Sequence, residues 1–221
     1  MWRERVGEDM DRDAALDHVE TVLDTVSDGD LPVPVTECWV YGEVALGKDP
    51  ITRLDVYVTK DLLFSGDPAP ELDAEYGVEG IGRTVDAAWA REHPEWVRTD
   101  DSGYVAPEKC LAAQLLPEGE PVHLEVCNTG FERNVTQRAE GARMREHYEQ
   151  VIDPRGVCLY AEGRRDDDTL AKLRESALAF PPLEEALTML GFDDEEAETA
   201  AETMRAYEAD QEGTTVRGDV V

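Results

Sequence analysis

The sequence predicts an α+β domain built on a small mixed sheet of about four to five strands with flanking helices, followed by a helical C-terminal appendage. The sheet is indicated by two segments, 52–59 and 121–127, in which apolar and polar residues alternate with a period of two. Apolar residues with helical spacing precede and separate these segments. After Glu162 only helical spacing continues, and this change predicts the appendage.

Helix and strand segments alternate through the first part of the chain. A helix is predicted over 11–26, where apolar residues recur at helical spacing and acids occupy the other face. A short strand over 35–41 leads through a glycine-bearing connection into the alternating strand at 52–59. The remaining predicted elements of this part are a short helix at 84–92, a hairpin with strands at 95–98 and 104–106, a helix at 107–116, the strand at 121–127, a helix at 132–152 and a short strand at 157–161.

The C-terminal part reads as three helices, over 168–175, 182–190 and 193–211. The last of them carries a narrow stripe of small and apolar residues, namely Ala197, Ala200, Ala201, Met204 and Tyr207. Such a stripe is expected to dock on the core or on a partner. We therefore expect an α+β core domain at 1–165, a helical segment at 166–212 and a mobile tail at 213–221.

The composition is strongly acidic. The 51 Asp and Glu residues against 21 Lys and Arg give a formal net charge of −30, which is typical of proteins that work in molar salt. Such salt shortens the screening length to about 3 Å, so dense like charge costs little there. A nucleic-acid partner is therefore not excluded by the charge. The charged N-terminus and the lack of a long apolar run predict a cytoplasmic protein without a membrane partner.

A candidate site lies around the first two strands. Their connection holds Gly42, Gly47 and Lys48, and the following strand carries Arg53 and Asp55. The third strand adds His123 and Glu125. Because a strand repeats every two residues, Arg53 and Asp55 are expected on one face of their strand, and His123 and Glu125 on one face of theirs. These seven residues are the candidate ligand-binding set.

The order of helix, strand, glycine connection, acid-bearing strand and later acid-bearing strand resembles the nucleotidyltransferase fold. In that superfamily a Gly-Ser pair binds phosphates through its backbone, and three strand carboxylates hold two magnesium ions that align the phosphates for in-line attack. The resemblance, over about residues 10–130, implies that Gly42 corresponds to the glycine. It also implies that Asp55 corresponds to the second acid of the Asp-x-Asp pair and Glu125 to the third acid.

Two positions depart from the superfamily pattern. Glu43 stands in place of the serine, and Arg53 stands in place of the first metal-binding acid. An arginine on the same strand face as Asp55 repels magnesium and can pair with the aspartate. We therefore favour a non-catalytic or regulatory member that binds a nucleotide, another phosphate-bearing ligand or a macromolecular partner without a cofactor.

Other interpretations stay open at this point. Asp55 and Glu125 can be metal ligands of an active magnesium-dependent enzyme, or solvent-facing acids of half-exposed strands. The C-terminal helices can instead form a protein-interaction module. The segment from Gly42 to Lys48 has the spacing of a phosphate-binding P-loop, but Asp49 replaces its Ser/Thr and a strand follows where that motif needs a helix. Arginines 133, 138, 143 and 145 can contact a phosphate or an acidic partner, and they are more typical of exposed pairs with neighbouring glutamates.

Two longer segments, YGEVALGKDPITRLDVYVTKD and HLEVCNTGFERNVTQR, carry a second resemblance. Together with the overall composition, they resemble a haloarchaeal protein family without an assigned function. This resemblance implies a cytoplasmic location at high salt. It implies nothing about substrate, oligomeric state or reaction.

Overall fold

The computed structural model describes residues 10–28, 31, 34–60, 78–79, 86–87, 111–112, 114–116, 121–149, 151–211, 213 and 215–218. All statements below concern these residues. The protein is of the α+β class, with one six-stranded mixed sheet and a separate two-stranded ladder. The predicted class is confirmed, and the sheet is larger than the predicted four to five strands.

Eight strands are described. They are β1 (Val35–Tyr41), β2 (Leu54–Lys60), β3 (Val78–Glu79), β4 (Asp86–Ala87), β5 (Val122–Cys127), β6 (Val157–Ala161), β7 (Arg164–Arg165) and β8 (Thr215–Gly218). The main sheet has the order β7-β6-β1-β2-β5-β8, while β3 pairs with β4 alone. The helix predicted at 84–92 is wrong at residues 86–87, which pair with β3 as strand β4, and the predicted hairpin at 95–106 lies outside the described residues. Strand β1 runs antiparallel to β2 and β6, whereas β5 runs parallel to β2 and to β8. Parallel pairing brings matching ends of β2, β5 and β8 to the same edge of the sheet.

Six helices accompany the sheet in the described part of the chain. They are α1 (Arg12–Asp28), α2 (Gly42–Ala45), α3 (Phe131–Arg145), α4 (Asp167–Arg174), α5 (Leu183–Met189) and α6 (Asp194–Ala209). Helix α3 continues through Gly141 and ends at Arg145, where Glu146 takes a left-handed conformation with φ 53°. Helix α6 begins with a capping box in which Asp193 and Glu196 satisfy each other's backbone N–H groups.

One face of the sheet forms the main apolar core. The alternating apolar side chains of β2 and β5 point to this face, where α1 packs with Leu16, Val19 and Leu23. Helix α4 adds Leu170 and Leu173 to the same core. Because both faces of the sheet are covered, all seven residues of β2 are buried. In β2, therefore, apolar and polar side chains alternate between the two faces as predicted, but both faces are buried.

The opposite face carries the polar members of the strands and is covered by α3 and the C-terminal helices. Phe131, at the start of α3, stacks on Trp39 with ring centroids 4.7 Å apart and meets Tyr57 edge-on. Glu37 accepts a hydrogen bond from the backbone N–H of Phe131 at 3.3 Å, a favourable position for a carboxylate at a helix N-terminus. These contacts fix α3 across the middle of the sheet.

Helices α5 and α6 pack together, and the apolar stripe of α6 is buried against α5, α3 and the segment that follows α3. Ala197, Ala200, Ala201 and Met204 belong to one cluster with Leu187 of α5, Ala139 of α3 and Tyr148. Tyr207, the last member of the predicted stripe, stays 40% exposed. The stripe is thus covered by the chain itself, which removes the main support for an interaction module built on these helices.

The C-terminal tail differs from its prediction. We predicted a mobile tail at 213–221, but Thr215–Gly218 forms strand β8 and pairs in parallel with β5. The segment alternates in step with β5 beside it, so that Val216 lies opposite Leu124 and packs against the main core. The boundary at 165/166 stays a prediction, although Leu170 and Leu173 join the core formed by the preceding part of the chain.

Candidate functional site

Strand register gathers the polar side chains of four strands on the face covered by α3 and α6. Asp55 of β2 pairs with Tyr41 of β1 on one side and with His123 of β5 on the other, and His123 pairs with Thr215 of β8. The next row along the sheet contains Trp39, Tyr57, Glu125 and Arg217. The predicted site residues of β2 and β5 therefore lie on neighbouring strands of one face.

Asp55 is buried, with only 4% of the residue exposed. The guanidinium of Arg53 binds it, since Nε and Nη2 lie 2.8 and 2.6 Å from Oδ1. Burial raises the pKa of Asp55, and the positive charge of Arg53 opposes that rise. The predicted pairing of Arg53 with Asp55 is confirmed, and the interpretation of Asp55 as a solvent-facing acid is wrong.

Glu125 is buried more deeply, with 1% of the residue exposed. Arg138 of α3 holds it with a two-pronged contact, Nη1 to Oε1 at 2.9 Å and Nη2 to Oε2 at 2.7 Å. Burial alone would raise the pKa of Glu125, but hydrogen bonds from His123 and Arg138 outweigh it and hold the pKa at about 2. The interpretation of Glu125 as a solvent-facing acid is wrong as well.

A hydrogen-bonded chain extends from α3 across the sheet to β8. Asn134 donates to the hydroxyl of Tyr57 at 2.8 Å and accepts from Nε of Arg138 at 3.2 Å. On the far side of Glu125, Nε2 of His123 lies 3.3 Å from Oε1, and Nδ1 lies 2.6 Å from the hydroxyl of Thr215. A neutral imidazole with its proton on Nε2 satisfies both contacts. The site is thus a connected polar network inside the protein.

A narrow crevice of about 30 Å³ opens beside this network. Its sheet side is formed by Tyr41, Arg53, His123, Glu125 and Arg217, and its other wall includes Met204, Tyr207, Glu208 and Gln211 at the end of α6. A volume of this size holds about two water molecules. Glu208 is exposed as a whole residue but lines the crevice, where desolvation of its carboxylate and the nearby charges of Asp55 and Asp153 raise its pKa to about 7.

Of the other predicted site residues, Gly42 lies at the crevice side of the sheet, directly against Asp55. Gly47 lies instead against Ser176. Lys48 has a 56% exposed side chain and pairs with Glu43 at 2.9 Å. Residues Gly42–Ala45 form the short helix α2, so they do not have the extended phosphate-wrapping conformation of a P-loop.

Two residues of the network, Arg138 and Arg217, were not predicted as site residues from the sequence. Arg138 was expected to form an exposed pair with a helical glutamate, but its side chain is only 13% exposed and binds Glu125. Arg217 lies in the predicted tail, and its Nη1 is 3.6 Å from Oε1 of Glu125. A usable signal was present for Arg138, because Asn134 and Arg138 share a helix face with the apolar residues Val135 and Ala142.

The geometry does not favour a metal ion at the acids. Within the described ranges, no group of three or more His, Cys, Asp or Glu side chains converges in a way that could hold one. Each strand acid has an arginine in the place where a cation would bind, Arg53 at Asp55 and Arg138 at Glu125. Two roomier surface hollows, of about 520 and 450 Å³, lie away from these acids and are lined mainly by charged residues.

Gly42 offers a test of how tightly Asp55 is held. A Cβ on Gly42 would lie 2.5 Å from Oδ2 of Asp55, and φ is +65°. We expect Gly42→Ala to lower the free energy of unfolding by about 1–2 kcal/mol, because alanine is strained in a left-handed conformation. Displacement of Asp55 by the new Cβ should lower it further. Gly163→Ala is the matched control, since its φ is +75° and nothing lies within 4 Å of the added Cβ. Denaturant unfolding at fixed high KCl measures both, and equal losses would contradict the close packing of Asp55.

No helix in the described ranges has both the length and the apolar character that a membrane span requires.

Comparisons with known proteins give one match, to a protein family. No curated protein and no solved structure matches the sequence. A model of the family of unknown function DUF7095 matches residues 11–221. The chain therefore belongs to that family.

Proposed function

We propose that the protein is a non-catalytic protein with a nucleotidyltransferase-like core, which binds a phosphate-bearing ligand at the crevice without a metal ion. The observation that carries this proposal is the neutralisation of both strand acids by arginine. Arg53 lies 2.6 Å from Asp55, and Arg138 lies 2.7 and 2.9 Å from the two oxygens of Glu125. The core assignment rests on the order of elements and on the acids of two neighbouring strands.

The fold part of the proposal is supported by the connection after β1. Gly42 follows β1 directly, begins the short helix α2 and packs against Asp55 of β2. Glu125 lies on β5, the parallel neighbour of β2. This is the relative order of glycine, second acid and third acid that the nucleotidyltransferase resemblance implies.

The charges argue against catalysis with magnesium. In the superfamily two magnesium ions bind the acids and neutralise the phosphates during transfer. Here a magnesium ion near Asp55 would meet the fixed charge of Arg53, which stays protonated at every physiological pH. Asp55 and Glu125 are only 4% and 1% exposed and each is paired with an arginine, so neither acid is readily available to a hydrated cation.

Arg53 and Arg217 line the crevice and offer contacts to an anionic ligand, beside the carboxylates of Glu125, Glu149, Asp153 and Glu208 that line it as well. Arg53, Arg138 and Arg217 surround two strand acids. The side chain of Arg217 is 22% exposed, and the 3.6 Å between its Nη1 and Oε1 of Glu125 is too long for a hydrogen bond. Its donors can therefore bind a phosphate, whose geometry suits the planar guanidinium.

Titration calorimetry with ATP at fixed high KCl tests the proposal. We expect saturable binding near one molecule per chain in the presence of EDTA, and no release of pyrophosphate when magnesium replaces EDTA. Arg217→Gln should weaken ATP binding by about tenfold or more, because a hydrogen bond to a charged group contributes about 1.5–3 kcal/mol. Arg133→Gln is the matched control, since Arg133 is exposed on α3 and does not line the crevice.

Two results would contradict the proposal. One is ATP binding that requires magnesium and is accompanied by pyrophosphate release, which would establish the active enzyme. The other is the absence of saturable binding in EDTA under conditions where circular dichroism shows a folded protein.

A further inference from the structure

We infer that the C-terminal end of α6 is an internal cover of the crevice, with Glu208 standing in the place of the ligand's anionic group. This inference rests on the proposed function and adds its regulation: the phosphate-bearing ligand and the end of α6 exclude each other. The cover is defined here as Tyr207, Glu208 and Gln211, which line the crevice beyond the buried part of α6.

The first argument for a cover is the small volume of the crevice. Sites for small molecules usually enclose about 300–1,000 Å³, whereas this crevice encloses about 30 Å³. A nucleotide cannot enter while the cover is in place. The sheet side belongs to β1, β2, β5 and β8, whose strands are hydrogen-bonded to one another. The lining from the segment after α3 is held as well, because Val151, Ile152 and Asp153 are buried. The α6 wall is therefore the side that can move.

The second argument for a cover is the negative charge of Glu208 near Arg53. The charge of Glu208 acts on Arg53, and in turn Glu208 feels the charges of Asp55 and Asp153. A carboxylate at this position is an intramolecular competitor for an anion at Arg53. Removing it should therefore raise the affinity of an external phosphate.

The end of α6 is also loosely held. Ala197, Ala200, Ala201 and Met204 are buried, but residues 205–210 are exposed. The last turn carries Glu208 and no basic residue, although a helix C-terminus favours positive charge. An exposed last turn with unfavourable charge opens at low free-energy cost. The core of α6 can stay docked while its end moves.

Calorimetry with ATP in EDTA, on the full-length protein at fixed high KCl, tests the inference. Glu208→Gln should bind ATP at least tenfold more tightly than the wild type, and Tyr207→Ala should also bind more tightly because it widens the crevice. Glu202→Gln is the matched control: it removes the same charge from an exposed position of α6 outside the crevice lining, and it should change the affinity by less than about twofold.

Amide hydrogen exchange gives a second test, because a purely electrostatic effect of Glu208 would not change the exchange rates of backbone amides. Binding and opening are thermodynamically linked, so ATP should speed exchange of the amides at 205–210 in the wild type and leave those at 197–204 unchanged. If Glu208→Gln and Glu202→Gln bind ATP with equal affinity and exchange at 205–210 is not faster, the inference of a cover is wrong. The proposed binding of a phosphate-bearing ligand would not be affected by that result. Absence of ATP binding to the wild type, Glu208→Gln and Tyr207→Ala alike would instead overturn the proposed function, and the cover with it.

Discussion

Glu125→Leu is expected to lower the free energy of unfolding by about 3–5 kcal/mol, the usual loss when one partner of a buried ion pair is removed. The leucine leaves the Arg138 guanidinium, whose side chain is only 13% exposed, without its carboxylate. His123 and Arg217 lose the same partner. The double variant Glu125→Leu/Arg138→Met should recover much of this loss, because an apolar pair of similar volume replaces a buried ion pair at little cost. Denaturant unfolding at fixed KCl measures all three proteins.

A surface pair provides the matched control. Arg205→Met breaks the contact with Glu184, whose side chains are 53% and 35% exposed, and should cost less than about 1 kcal/mol. A loss of this small size in Glu125→Leu would contradict the buried pair. Acid titration gives an independent check: the pKa of Glu125 is about 2 in the folded protein against an ordinary 4.5. Its stabilisation is therefore complete above pH 4.5 and is lost as the pH falls towards 2, and Glu125→Leu should lose that part of the acid sensitivity.

Arg53→Asp is expected to raise the affinity for a divalent cation at Asp55 by tenfold or more, which corresponds to about 1.4 kcal/mol or more. The substitution replaces the cation 2.6 Å from Asp55 with a second carboxylate and so creates an acid pair on one strand face. Calorimetric titration of MgCl₂ at fixed high KCl measures the change. Arg205→Asp alters the net charge equally at an exposed position and should leave the affinity near that of the wild type. Equal gains in both variants would mean that charge alone, and not the site, binds magnesium.

Local patterns were enough to predict several parts of this molecule. Period two placed Arg53 beside Asp55, and the structure confirms their contact. Helical spacing predicted α1 within a few residues of its bounds. These features depend on neighbours in the sequence, and a single chain carries that information directly.

The charge partners across the sheet could not be read in the same way. Glu125 meets Arg138 because α3 folds back over β5, and it meets Arg217 because a segment 92 positions later pairs with β5. Alternation also cannot reveal that both faces of β2 are covered, because a polar residue at a covered position has the same spacing as one at the surface. Asp55 and Glu125 were therefore compatible with solvent exposure until their partners were known.

Electron paramagnetic resonance with Mn²⁺, a reporter for magnesium sites, tests most directly whether arginines have replaced the metal. Wild type and Asp55→Asn, both shown to be folded by circular dichroism, are titrated at fixed high KCl so that weak binding to the acidic surface is screened. We predict the same amount of bound Mn²⁺ in both proteins, since Arg53 already neutralises Asp55. One tightly bound Mn²⁺ in the wild type that is absent from Asp55→Asn would contradict the non-catalytic account.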